Sequence, residues 1–290
     1  MKEIEVKIDE DLSGKTVKEI LFSKLLLTSR LVTKLKSTQG IWLNGENVTV
    51  RKIVEKGDVL KILIKSEKSE NIVPNDIPLD IIYEDENILV VNKSAGMPTH
   101  PSIRHYEGTL ANAVMYYYRN IDFKFRAVNR LDRDTTGLVV IAKNQYAAGY
   151  MNKQIMNREI NKMYMAICCG VPKEAHGIIE ASIKRETDSV IKRIVAADGQ
   201  YSKSEYWVLA AEENYSLIKL KAHTGRTHQL RVHLSHIGTP IYGDYMYGEE
   251  SLGDRTRLHC FQMEFVCPTD NKIITLKAPL PSDFFIKNTD

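Results

Sequence analysis

Residues 127–144 read Ala127-Val128-Asn129-Arg130-Leu131-Asp132-Arg133-Asp134-Thr135-Thr136-Gly137-Leu138-Val139-Val140-Ile141-Ala142-Lys143-Asn144, a charged loop running straight into an apolar stretch. Leu138 to Ala142 is short and rich in β-branched residues, which predicts a buried strand. Thr135, Thr136 and Gly137 suit a tight turn, so Asp132 would sit in a loop held by a rigid neighbour, a common home for reactive groups. Arg130 and Arg133 flank the carboxylate, and opposite charge close by favours its ionised form. An ionised carboxylate can act as nucleophile or base. On these local surroundings alone, an ordinary ion pair with Arg130 or Arg133 is the commoner outcome.

The rest of the chain bears on that choice. With 290 residues it can bury real cores, and its length suggests two domains. No stretch approaches the ~18 consecutive apolar residues of a membrane span. Met1 to Asp11 alternates apolar and charged positions and lacks the apolar core of a secretory signal, so the expected location is the cytoplasm. Cys168, Cys169, Cys260 and Cys267 form no Cys-x-x-Cys pair and read as small core residues, not disulfide partners or zinc ligands.

The net charge of +3, from 40 basic and 37 acidic residues, is unevenly spread. Residues 12–65 hold eleven Lys or Arg against four Asp or Glu, a local +7 that leaves −4 for the remainder. A basic module on a mildly acidic body fits a polyanion such as RNA, although a lysine-rich solubilising face has the same composition.

Within that basic segment, Thr16 to Leu27 and Arg30 to Lys36 predict two short helices, with Thr28-Ser29 capping the second. Ile41-Trp42-Leu43, Asn44-Gly45 and Val48 predict a tight hairpin, and Gly57-Asp58 a turn before a strand over Val59 to Ile64. This order resembles the ribosomal-protein-S-four-type RNA-binding module, on the matches Ser29-Arg30, Lys34, Gly40-Ile41, Val48 and Gly57-Asp58. The resemblance implies that the second helix and hairpin grip RNA backbone, which makes Arg30, Lys34 and Lys36 candidate contacts. Ser66 to Asp76 is charged, contains Pro74 and has no apolar periodicity, so it reads as a linker. The expected division is a small α/β RNA-binding module over 1–68, a linker over 69–78 and a catalytic domain over 79–290. In the last, strands broken by helices argue for an α+β fold with a mixed, largely antiparallel sheet.

Three motifs stand in that second domain: Arg130-Leu131-Asp132-Arg133-Asp134-Thr135-Thr136-Gly137-Leu138; Lys162-Met163-Tyr164-Met165-Ala166; and Gly225-Arg226-Thr227-His228-Gln229-Leu230-Arg231-Val232-His233-Leu234 followed by Gly238-Thr239-Pro240-Ile241-Tyr242-Gly243-Asp244. Together they resemble the RluA/RluD family of pseudouridine synthases over about residues 79 to 280. That resemblance implies the pseudouridine synthase fold, isomerisation of uridine in RNA, Asp132 as catalytic aspartate, Tyr164 as the aromatic under the target base, and Arg231 as the partner of the aspartate, through a pair expected to be bidentate. It implies further that Arg130 enters the helix stack as the uridine turns out, and Asn129, Arg226 and His228 become candidate RNA contacts beside it.

The chemistry asks for such groups. Making pseudouridine breaks the glycosidic bond, rotates the base and rejoins the sugar to a ring carbon, so an enzyme needs a flipped nucleotide, a carboxylate near the sugar and a surface that holds the loose base. Asp132 could abstract a ribose proton to give a glycal or add covalently to sugar or base, and the residues leave both routes open. Histidine commonly precedes Arg-Leu-Asp in the family. Here the residue is Asn129, which cannot titrate; Thr136 likewise stands where serine is common. His223, His228, His233 and His236 do not have zinc-site spacing, and no phosphate-loop or dinucleotide motif occurs, so neither metal nor cofactor is expected. The expected partner is RNA, ribosomal in preference to transfer RNA, bound by a monomer. Two other readings are an RNA-associated factor of the same fold without activity, and a nucleoside or glycoside hydrolase, for which the near carboxylate pair would be Asp132 and Asp134.

Overall fold

The computed structural model describes residues 1–103, 105–248 and 255–284; the last residues assigned to the catalytic domain, 285–290, lie outside them. The chain opens with strand β1 (Lys2–Lys7), followed by α1 (Val17–Ser23), α2 (Ser29–Ser37), β2 (Ile41–Leu43), β3 (Glu46–Asn47) and β4 (Val59–Ile64). Thr16 and Glu19 form a reciprocal capping box at the start of α1, and the Thr28 hydroxyl accepts from the Leu31 N–H at the start of α2. Asn44 and Gly45 both take positive φ, 52° and 86°, the geometry that a two-residue hairpin loop needs. The sheet order is β1-β4-β2-β3. Val17, Ile20 and Leu21 of α1 and Leu31, Val32 and Leu35 of α2 join Leu60, Ile62 and Ile64 in one buried cluster.

Strand β1 goes beyond the helix-helix-hairpin order expected here. Its alternation is real and pairs antiparallel with β4 along its full length, from Lys2↔Ile64 to Lys7↔Val59. It also changes the charge argument, because the stretch before residue 12 is acidic: over residues 1–65 there are thirteen Lys or Arg against nine Asp or Glu. The added acids lie partly on β1, where Glu3 and Glu5 pair with Lys61. Lys18, Lys24, Arg30 and Lys36, on or beside the two helices, have no acidic partner among the described residues. The basic face survives on the helical side.

The second body holds β5 (Ile81–Glu84), β6 (Ile88–Lys93), α3 (Leu110–Tyr117), β7 (Thr136–Ala142), α4 (Gln145–Met156), β8 (Asn161–Cys169), β9 (His176–Glu180), β10 (Ile183–Arg185), β11 (Arg193–Val195), β12 (Lys203–Ala211), β13 (Tyr215–Ala222), α5 (Gln229–His236), β14 (Leu258–Val266) and β15 (Ile273–Lys277). Nine strands form one sheet in the order β5-β6-β7-β14-β8-β13-β12-β9, with β15 on β14; β10 and β11 make a separate hairpin. All pairs in the large sheet are antiparallel except β7 with β14. The architecture is therefore α+β with a mixed, largely antiparallel sheet. β14, which follows the last helix, lies at the centre of this sheet.

Gly137 does not form the expected turn. It lies inside β7 with Thr136, at φ +110°, and a Cβ there would meet the Cys260 backbone at 2.2–2.7 Å. The glycine is required because β14 runs parallel to β7 and touches it at this point. All seven residues of β7 are buried, so the loop before it hangs from the core of the sheet.

Residues 66–76 form neither helix nor strand, but they are not free of the body. Glu67 bridges Lys34 and Arg126, the Ser69 N–H donates to the Phe123 carbonyl, and the Val73 carbonyl accepts from Asn112. Helix α2 rests on α4, where a Cβ on Gly149 would meet the Thr28 methyl at 2.9 Å.

Candidate functional site

The loop carrying Asp132 is clamped from below. Thr99 accepts from the Leu131 N–H at 3.2 Å and donates to the Leu131 carbonyl at 2.9 Å, fixing the residue before the aspartate on both sides. Lys93, 1% exposed at the end of β6, donates to the carbonyls of Ser94, Met97 and Arg133 at 2.7, 2.7 and 3.0 Å. Burial pushes its ammonium down to about 7 against the pull of Asp134 and Asp132. Three carbonyl acceptors match three N–H donors, which favours the charged form in this position. Arg133 turns away from Asp132 and pairs with Asp134 at 2.9 Å. The expected ion pair between neighbours is thus made, but with the wrong aspartate, because Asp132 points into a cavity instead.

Its actual partner comes from 99 residues later. Helix α5 begins at His228, whose φ of 56° turns the chain sharply; the Gln229 side chain secures the turn, accepting from Thr224 and the Arg226 N–H and donating to the Lys203 carbonyl and Ser204. One turn into the helix, Arg231 is 4% exposed and sends Nη1 to Asp132 Oδ2 at 3.1 Å. The expected bidentate pair exists, but with Asp244: Arg231 Nε and Nη2 each lie 2.7 Å from one of its oxygens. Asp244 is fully buried and also accepts from the N–H groups of Met246 and Tyr247. Burial opposes the Arg231 charge, yet Asp244 and Asp132 together raise its pKa above the ordinary arginine value. A planar guanidinium held on one edge by Asp244 presents its remaining nitrogen to Asp132 in a single orientation.

His228 completes this corner. Its Nδ1 lies 2.8 Å from the Tyr247 hydroxyl, which also accepts from the Arg193 N–H. Nε2 stands 3.8 Å from Asp132 Oδ2. Burial, countered by Asp132 and reinforced by Arg231, lowers the His228 pKa.

Asp132 and Tyr164 line a cavity of about 340 Å³ with Arg130, Lys162, His228 and Arg231, and Asp132 is the only carboxylate among its lining residues. Asp134 is absent from that lining, which removes the paired carboxylates that a hydrolase would use. Tyr164 is 8% exposed on β8, and its hydroxyl meets the Cys260 thiol on β14. Burial raises its pKa well above the usual phenol value, so the ring offers a face and no titrating group.

The other expected contacts fall into three places. Arg130 and Arg226 are exposed on the rim, the latter donating to the Tyr201 carbonyl. Asn129 faces the cavity, but its side chain bonds the backbone of β7 at both ends, to the Leu138 carbonyl and the Val140 N–H. Arg30, Lys34 and Lys36 lie on α2 and do not line the cavity; Lys34 is held by Glu67 at 2.6 Å, whereas Arg30 and Lys36 are exposed. His233 is fully buried between Ser204 and the Ala181 carbonyl, and His223 pairs with Glu205. No cluster of three His, Cys, Asp or Glu among the described residues has metal-holding geometry, none of the four cysteines is in a disulfide, and no described helix is long and apolar enough to cross a membrane. Sequence reasoning missed Lys93, Thr99 and Tyr247, and quoted Asp244 without giving it a role. Only Asp244 carried a signal, its place at the end of the third motif.

The model of a family described as RNA pseudouridylate synthase matches residues 87–236, and that of the RluD ribosomal pseudouridine synthase N-terminal domain matches residues 4–60. The chain is 36% identical over 274 residues to the uncharacterized RNA pseudouridine synthase YjbO of Bacillus subtilis, covering 92% of this chain and 96% of that protein. It is 34% identical over 274 residues to the ribosomal large subunit pseudouridine synthase D of Pasteurella multocida, covering 88% and 84%. Among solved structures, human RNA pseudouridylate synthase domain containing 1 superposes with a TM-score of 0.60 at 30% identity, over 71% of this chain and 84% of that one. The match over half the chain, the second match over the N-terminal module and the near full-length relatives agree with the three motifs: the chain belongs to the RluA/RluD family of RNA pseudouridine synthases and is an isomerase acting on RNA.

Proposed function

We propose that the enzyme converts a uridine of large-subunit ribosomal RNA and that Asp132 is its catalytic carboxylate. The observation that carries the second point is the single carboxylate in a nucleoside-sized cavity, with Arg231 Nη1 3.1 Å away. The target nucleotide leaves its stack and enters the cavity, and Arg130, exposed on the rim, takes the vacated place. Tyr164 supports the base, a contact worth about 1–3 kcal/mol for an aromatic. Asp132 reacts at the sugar while Arg231 holds its carboxylate ionised and aimed. The N1–C1′ bond breaks, the freed base turns on Tyr164, C5–C1′ forms, and C5 loses a proton as N1 gains one. The ribosomal target is supported by the names of relatives such as the Pasteurella multocida protein. Arg30 and Lys36 on the helical face of the N-terminal module reach RNA phosphate, with Arg226 and His228 contacting the target strand.

In this reading residues 1–68 form the RNA-gripping module, 69–78 the linker and 79–290 the catalytic domain, acting as a monomer in the cytoplasm. Pseudouridine mapping tests it: ribosomal RNA from a strain lacking the gene should lose pseudouridine at defined large-subunit positions, regain it with the wild-type gene and not with Asp132→Asn. Loss confined to transfer RNA would refute the ribosomal assignment.

A further inference from the structure

Beside the Asp132 cavity lies a larger one of about 600 Å³, and the two share a wall that includes Asn129, Ile155, Lys162, Thr224 and Arg226. No Asp or Glu lines the larger cavity. Two of its polar side chains are already engaged, Lys203 with Glu180 and His223 with Glu205. Arg158, Lys162 and Lys221 have no acidic partner among the described residues. The lining also includes the apolar side chains of Val140, Ile160 and Met263, together with Ile155 and Met156 at the end of α4, 41% and 83% exposed. Scattered exposed hydrophobes need no explanation. A pair of them at the mouth of a cationic hollow matches one kind of ligand, an anion joined to a flat, apolar-faced ring.

Lys162 locates the anion. It precedes Tyr164 by two residues on β8, so both side chains leave the same face of the strand ~7 Å apart. Lys162 borders both cavities, and desolvation lowers its pKa with no carboxylate to offset the loss. An enclosed cation without a counter-charge is costly, and an entering phosphate supplies one.

We propose that the larger cavity holds the nucleotide joined to the target uridine, its base against Ile155 and Met156 and the linking phosphate on Lys162. This rests on the reading of the Asp132 cavity as the place of the target uridine. It makes the enzyme sensitive to a neighbour in the sequence as well as to the uridine itself.

The test uses the full-length protein and an RNA bearing the mapped target uridine, prepared with an uncharged methylphosphonate at the linkage on either side of it, or with an abasic residue on either side. Wild-type kcat/KM should fall roughly tenfold with the methylphosphonate at one of the two linkages and with the abasic residue on that same side. Lys162→Met should lose a similar factor on unmodified RNA and nothing more on the methylphosphonate RNA, and Met156→Ala should be indifferent to the abasic residue. Losses that multiply instead, or a wild-type enzyme that ignores both modifications, would overturn the proposal. Should Lys162→Met not fold, the wild-type response and the surface variant Met156→Ala still decide it. The reading of the Asp132 cavity fails separately, if Asp132→Asn converts unmodified RNA at the wild-type rate.

Discussion

Arg231 is 4% exposed and held by two aspartates through three nitrogens, whereas Arg30 and Lys36 stand in solvent on α2 without an acidic partner among the described residues. The same kind of charge is used for two purposes. The buried guanidinium is fixed in one orientation by Asp244 before any substrate arrives, so it can hold a carboxylate still. The exposed cations are free to meet a phosphate wherever it lies, and their contribution should be additive, weak individually and sensitive to salt. Removing a member of the first set should damage fold and chemistry together; removing a member of the second should leave both intact.

The largest effect is expected at Arg231. Arg231→Met leaves Asp244 buried without its partner, which costs about 3–5 kcal/mol in thermal or urea unfolding, and frees Asp132 from the guanidinium that holds it. A fully stable Arg231→Met enzyme would erase the contrast between the two regions. Lys93→Met should come next. It leaves three carbonyls without their buried donor and loosens the loop before β7, a loss on the order of 3 kcal/mol, and kcat should fall more than KM rises because the loop carries Asp132.

A third test is acid. His259 on β14 is fully buried against the Thr136 hydroxyl at 2.8 Å, and burial pushes its pKa down to about 4. Between the ordinary value near 6.5 and this folded value, the unfolded chain binds more protons. The stability it lends is present above pH ~6.5 and is lost as pH falls toward ~4, on the order of 3 kcal/mol in all. His259→Asn should flatten that part of the unfolding profile; an unchanged profile would show that other groups set it. The smallest effect belongs to the exposed set. Arg30→Ala and Lys36→Ala should each weaken RNA binding a few-fold, leave the melting temperature alone and reduce the slope of log K against log salt by about 0.7–0.9 for each phosphate no longer neutralised. An unchanged slope would remove α2 from the RNA-binding surface.

The same contrast explains what could be read in the chain. The hairpin at Asn44-Gly45, the Thr28 cap and the buried run of β7 were legible because each is set by residues within a few positions of one another. Asp132, Tyr164 and Arg231 were legible through the spacing of three motifs, and the structure brings all three to one cavity. The supports beneath them were not. Lys93 reaches the Arg133 carbonyl and Thr99 the Leu131 backbone, 40 and 32 residues away, links that side-chain sequence leaves unmarked. Asp244 reveals its role only when α5 folds against it. Gly137 looked like a turn because glycine serves turns and close approaches alike, and only the neighbouring β14 distinguishes them.

The central claim is that one carboxylate, aimed by Arg231, performs the isomerisation. The most direct measurement is tritium release by purified Asp132→Asn from RNA labelled at carbon 5 of uridine, alongside its affinity for the same RNA. Release should vanish while binding stays within a few-fold of wild type, since Arg130 and the exposed cations of α2 are untouched. Continued release at a rate near wild type would place the reacting group elsewhere.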